Sequence, residues 1–115
     1  MRVLVCGGRD LDDQWFVVNE LDRLDVQRGP IDVVIHGCAT GADTHAEIWA
    51  SMHKRKVIGM RAEWDRLGKA AGPIRNARML RQHPDLVVAF PGGRGTADMV
   101  AKARAAGVEV IEVQR

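Results

Sequence analysis

Apolar and polar positions alternate along this chain in two distinct periods. Short unbroken apolar runs recur at Arg2–Cys6, Ile31–His36, Lys56–Met60 and Leu86–Phe90. Runs of this length, rich in valine and isoleucine and bounded by glycine or proline, predict strands buried on both faces. A fifth run, Val108–Val113, alternates apolar and acidic residues as an edge strand does. Between the runs the apolar spacing changes to that of helices. Phe16/Val17, Leu21 and Leu24 mark one stripe, and Ala42, Ala46, Trp49 and Met52 a second. Ile74, Ala77 and Leu80 mark a third, on the face expected to meet the core.

Stop and start signals agree with this division. Asp12 or Asp13 is placed to cap the first helix, and Gly29-Pro30 to end it. Thr40 and Asp43 have the spacing of a capping box. The polar stretch from Arg61 to Ala71, with Trp64 inside it, reads as a loop, and Gly72-Pro73 as a helix start, with Pro73 near the first helical position. The resulting order, β-α-β-α-β-α-β-α-β, predicts an α/β Rossmann-like three-layer fold. It has a five-stranded parallel sheet covered on both faces by right-handed crossovers. The first, second and fourth strands each run into a glycine-bearing turn. Strand order 3-2-1-4-5 brings all three turns to one crevice at the strand carboxyl ends, where ligands of such sheets sit.

Bulk properties narrow the reading. At 115 residues the chain is expected to be a single domain, 1–115, and 46% apolar content suffices for one core. A net charge of +2 gives no support to non-specific nucleic-acid binding, and an aromatic content of 4% gives little to a base-stacking platform for single strands. No segment approaches a membrane span, and Met1-Arg2 leads straight into a strand, so a cytoplasmic protein with two reduced cysteines is expected. Cys6, His36, Cys38 and His45 match no common zinc spacing. No metal and no cofactor are expected, and Cys38 lacks an evident base at a recognised spacing. His53 and His83 read as surface residues.

The arginines are unevenly placed. Arg9 follows the first strand, Arg61, Arg66, Lys69, Arg75 and Arg78 follow the third, and Arg94 lies in Pro91-Gly92-Gly93-Arg94-Gly95-Thr96. That last turn joins a buried strand to a helix start. Its glycines let backbone N–H groups approach an anion, and the helix start attracts negative charge. Ligand contact is expected for Arg9, Arg75 and Arg94, and a solvated role for Arg66, Lys69 and Arg81. Asp43 and Asp98 stand in first helical turns, either as capping and dipole groups or as carboxylates near a ligand's sugar. Asn76 reads as a helix-start cap. Trp64 either stacks on a base or closes the core. Trp15, Trp49 and Met52 are candidates for an exposed apolar helix face.

Four motifs in this order resemble a known group. They are Gly7-Gly8-Arg9-Asp10, His36-Gly37-Cys38-Ala39-Thr40-Gly41-Ala42-Asp43, Ala71-Gly72-Pro73-Ile74-Arg75-Asn76-Ala77-Arg78-Met79 and the PGGRGT turn. Together they resemble the SLOG superfamily, shared by Smf/DprA and LOG proteins, and its small YspA/YpsA-related branch most of all. The resemblance implies a Rossmann-like domain that binds a nucleotide or nucleotide-derived ligand as a sensor or binding domain, and a homodimer or higher homo-oligomer. The implied binding residues are Gly7, Gly8, Arg9, Gly37, Gly41, Asp43, Arg75, Asn76 and Pro91 to Thr96 (Pro91, Gly92, Gly93, Arg94, Gly95, Thr96). LOG enzymes are phosphoribohydrolases that cleave nucleoside 5'-monophosphates between base and sugar. Their signature, PGGxGTxxE, ends in a catalytic glutamate that works with an arginine. Here that position is Met99, with Asp98 beside it. Asp98, with Arg75 or Arg78 as the arginine, is therefore the candidate for catalysis on this alternative, with Asp98 and Arg75 the preferred pair; single-stranded DNA binding of the DprA kind is a second alternative.

Overall fold

The computed structural model describes residues 1–115. The elements run β1 (Arg2–Cys6), α1 (Gln14–Gln27), β2 (Val33–His36), α2 (Ala42–Met52), β3 (Lys56–Gly59), α3 (Trp64–Leu67), a 3-10 turn (Gly68–Ala70), α4 (Ala71–Leu80), β4 (Leu86–Ala89), α5 (Arg94–Ala105) and β5 (Glu109–Glu112). All strand pairs are parallel and the order is β3-β2-β1-β4-β5. This is the α/β, Rossmann-like arrangement that the sequence predicts. No helix is long and apolar enough to cross a membrane.

The central strands are apolar on both faces because helices cover both. Val3 and Val5 of β1 join Val17, Leu21, Ala46 and Trp49 in the cluster under α1 and α2. Leu4 and Cys6, pointing the other way, join Met79, Met99 and Ala103 in the cluster under α4 and α5. The period-2 alternation of a strand thus divides one sequence run between two cores. β3 and β5, at the sheet edges, are only half-buried.

Local chemistry explains the helix starts, with some departures from the sequence pattern. Asp13 caps α1 by accepting from the Phe16 N–H at 3.1 Å. The expected Thr40–Asp43 capping box does not form. Gly41 is the N-cap of α2, at φ 74°, while the Thr40 hydroxyl donates to the Arg9 carbonyl and Asp43 turns back to the loop before it. Residues 61–71 are not all loop, since α3 and a 3-10 turn occupy 64–70 and α4 starts at Ala71. That places Pro73 at the third helical position.

The α4 stripe is also shifted. Ile74 is exposed and Ala77 and Leu80 are only half-buried, whereas Gly72, Asn76 and Met79 face inward. Trp49 is fully buried and donates its indole N–H to Asp22 at 2.8 Å across α1 and α2. It belongs to no exposed face, whereas Met52, read both on the buried stripe and as a candidate for an exposed face, is exposed, as is Trp15. Trp15 opens α1 and Met52 closes α2. The two helices run in the same direction, as connections between parallel strands require, so these residues lie at opposite ends.

Candidate functional site

The turns after β1, β2 and β4 meet above the carboxyl end of β1. Gly8 joins them through its backbone: its N–H donates to the Pro91 carbonyl at 2.8 Å, and its carbonyl accepts from the Ala42 N–H at 3.2 Å. Such close passage leaves no room for side chains. A Cβ on Gly7 would stand 2.6 Å from that of Ala42, and one on Gly92 would stand 2.7 Å from the Gly8 nitrogen. Gly93 and Gly95 differ. A Cβ on either meets nothing within 4 Å, so packing does not account for glycine there.

Beside these turns lies a cavity of about 400 Å³, within the range of small-molecule sites. Gly93 to Thr96 form one wall. Gly93 is the N-cap of α5, no side chain caps the helix, and its first turn carries no acid. The N–H groups of Arg94, Gly95 and Thr96 find no acceptor in the chain. They form the free donor set that a helix start offers to an anion.

The facing wall comes from α4. Arg75 donates to the Gly37 carbonyl at 2.7 Å and to the Asn76 side-chain oxygen at 3.1 Å. The Asn76 amide donates in turn to the Gly95 carbonyl at 3.1 Å and to Asp98 at 3.0 Å. Asn76 is therefore a buried bridge between α4 and α5 rather than a helix-start cap. Burial lowers the Arg75 pKa, Asp43 opposes that shift and Arg9 adds to it. An anion in the cavity would relieve both penalties.

The rim is formed by Arg9 and Trp64. The Arg9 guanidinium lies 5.2 Å from the Trp64 ring centroid, and the same ring rests on Gly72, where a Cβ would come within 3.1 Å. Trp64 is 44% exposed, so it shields part of the opening without being sealed in a core.

Two carboxyl groups border the cavity in contrasting states. Burial pushes the Asp98 carboxyl up, but the Lys102 ammonium and the Asn76 amide outweigh this and hold it below the ordinary range. Asp43 is 6% exposed, and burial raises its pKa despite hydrogen bonds from Ala39 and Gly37 and the nearby His36 and Arg75. A folded-state pKa above the unfolded one means the fold favours the neutral acid. Stability from this group is present below the unfolded pKa and is lost as pH rises through the folded pKa. Asp43→Asn keeps an acceptor for both loop N–H groups and never carries charge. It should match the wild-type melting temperature near about pH 3 and exceed it at about pH 8. Equal melting temperatures at both pH values would show that Asp43 carries no such penalty.

Comparison with known proteins adds the lineage. The model of the YspA, cpYpsA-related SLOG family matches residues 1–67. The "Gene 61 protein" of Mycobacterium phage D29 is 38% identical over 118 aligned residues, covering 96% of this chain and 94% of that protein. This chain belongs to the YspA, cpYpsA-related SLOG family.

Within this SLOG chain, the residues singled out from sequence fall into groups. Gly7, Gly8, Arg9, Asp43, Arg75, Asn76, Gly93, Arg94, Gly95, Thr96 and Asp98 border the cavity. Gly37, Gly41, Pro91 and Gly92 do not. Gly37 lies under the Arg75 guanidinium, 2.6 Å from Cζ to a would-be Cβ, and Pro91 and Gly92 border a separate shallow groove toward β5. Lys69 borders the cavity rather than standing clear of it, as do Cys6 and Met79. Strand parity places Cys6 and Leu4 on one face, while Lys69, one of the cations after the third strand and expected to be solvated, lies on the 3-10 turn beside the opening. The Cys6 thiol is pushed up to about 12, first by burial and then by Asp43, so it remains a neutral lining group. Burial likewise raises Cys38. His36 Nδ1 accepts from the Cys38 N–H and its Nε2 meets Glu47 at 2.8 Å. No three of the His, Cys, Asp and Glu residues converge as a metal site would require.

Proposed function

We propose that this SLOG domain binds a nucleotide or nucleotide-derived, phosphate-bearing small ligand at the carboxyl ends of β1, β2 and β4. The observation that carries the reading is the uncapped start of α5. Three unpartnered N–H groups and two glycines without packing neighbours face a cavity that Arg9, Arg75 and Arg94 also border. Phosphate suits such a seat because its oxygens accept several N–H bonds at once while the arginines balance its charge. Trp64 at the rim provides an aromatic face for a base.

Calorimetric titration with nucleoside mono- and diphosphates, ADP-ribose and cyclic nucleotides tests this reading. At least one phosphate-bearing compound is expected to bind, with roughly 10-fold loss in Arg94→Ala. If none binds, and Arg94→Ala behaves as wild type throughout, the phosphate seat is refuted.

A second reading, hydrolysis of a nucleoside 5'-monophosphate, draws support from Asp98, which borders the cavity. Two observations favour binding over turnover. Met99, at the position where the LOG signature carries glutamate, is 0% exposed and packs in the core under α4 and α5. Asp98 itself is held ionised by Lys102 and Asn76, which suits accepting a hydrogen bond better than delivering a proton to a leaving base.

A further inference from the structure

One polar atom at the cavity lacks a partner. Asp43 Oδ2 accepts from the Gly37 N–H at 3.0 Å and the Ala39 N–H at 3.2 Å. These bonds fix the carboxyl plane and tie it to the loop between β2 and α2. Oδ1 makes no hydrogen bond within the chain, yet it is not among the sealed, unsatisfied atoms. It therefore keeps an opening, and the residue lines the cavity. An unpartnered oxygen on a carboxyl that is 6% exposed is costly unless a donor meets it.

Chemistry limits what that donor can be. Phosphate brings acceptors and negative charge, so an ionised Asp43 repels it, whereas the free N–H groups of the α5 start attract it. A cation is already close in Arg75, but its Nη1 and Nε are committed to Gly37 and Asn76. A neutral hydroxyl fits, because it donates to a carboxylate and accepts from a protonated acid. The topology sets its distance from the phosphate. α2 follows β2 and α5 follows β4, with β1 between them, so two strand spacings, about 10 Å, separate the helix starts. Asp43 and Gly93–Thr96 border the same cavity from its two sides. A pentose carrying a terminal phosphate spans what is left.

We propose that Asp43 reads the sugar of the ligand: with phosphate seated on Gly93–Thr96, Oδ1 accepts a ring hydroxyl, and the preferred ligand contains a ribose 5-phosphate unit with its hydroxyls intact. This rests on the phosphate seat described above. Asp43 thereby separates ribose from deoxyribose compounds, and the loop holding it specifies the sugar as the α5 turn specifies the anion.

NMR titration of the full chain with inorganic phosphate, ribose 5-phosphate and its 2-deoxy and 3-deoxy analogues tests the assignment. Ribose 5-phosphate should bind about 10-fold or more tightly than at least one deoxy analogue, and more tightly than phosphate alone. Asp43→Asn, which preserves both loop bonds but replaces the acceptor facing the cavity with a neutral N–H₂ donor, should narrow the preference for ribose 5-phosphate several-fold. Equal binding of the three by wild type, or no gain over phosphate, overturns the sugar assignment and leaves the phosphate seat standing. Discrimination undiminished in Asp43→Asn overturns it as well. If neither phosphate nor any sugar phosphate binds, the phosphate seat fails and the assignment fails with it.

Discussion

Gly95→Asp should make the protein more stable and abolish ligand binding at the same time. Gly95 is the second residue of α5, and a Cβ there meets nothing within 4 Å. Replacing glycine in a helix removes a backbone entropy penalty of roughly 0.5–1 kcal/mol, and an acid in the first turn adds about 0.3–1 kcal/mol through the free N–H groups. The same carboxylate would satisfy the donors that we propose hold phosphate and would repel a second anion. Loss of charge-assisted bonds worth about 1.5–3 kcal/mol each predicts at least about 100-fold weaker binding. Thermal denaturation and calorimetry on one preparation check both signs. A destabilised variant, or one that binds as wild type does, would contradict the role given to the turn.

Gly41→Ala should have the largest effect on folding. Gly41 has φ 74°, which a side chain rarely adopts. A Cβ there would collide with the Gly8 carbonyl oxygen and stand 2.7 Å from that of Arg9. Both obstacles are backbone, and both belong to the loop that closes the cavity floor, so neither yields easily. A loss of about 3 kcal/mol is expected, combining backbone strain with overpacking. Urea denaturation measures it, and a loss under about 1 kcal/mol would show that the β1–α1 loop is looser than its hydrogen bonds imply.

The sheet order was legible because glycine turns after three particular strands carry topological information. Only an order that sets the first strand between the second and fourth brings those turns together. Side-chain orientation was less legible. On α4 the inward face contains a glycine and an asparagine, so apolar periodicity selected Ile74, Ala77 and Leu80 instead of Gly72, Asn76 and Met79. Hydrophobic pattern cannot register a buried amide whose partners, Gly95 and Asp98, lie on another helix. The capping-box reading of Thr40 and Asp43 failed for a related reason. The spacing of Asp43 from Thr40 was that of a local cap, but the carboxyl bonds backward to Gly37 and Ala39, with Gly41 at a positive φ in the turn between them. Trp49 drew two opposite readings, one buried and one exposed. Its indole N–H needs a partner wherever it goes, and Asp22 on α1 supplies one inside.

The chain of contacts through Asn76 has a mechanical consequence. One amide grips the Gly95 carbonyl and Asp98 on α5, while its oxygen holds Arg75, which in turn grips Gly37 beyond β2. The two walls of the cleft are thus pinned to one another before any guest arrives. A guest fitting between them would have little left to order, and the entropy cost of gripping it would be correspondingly small.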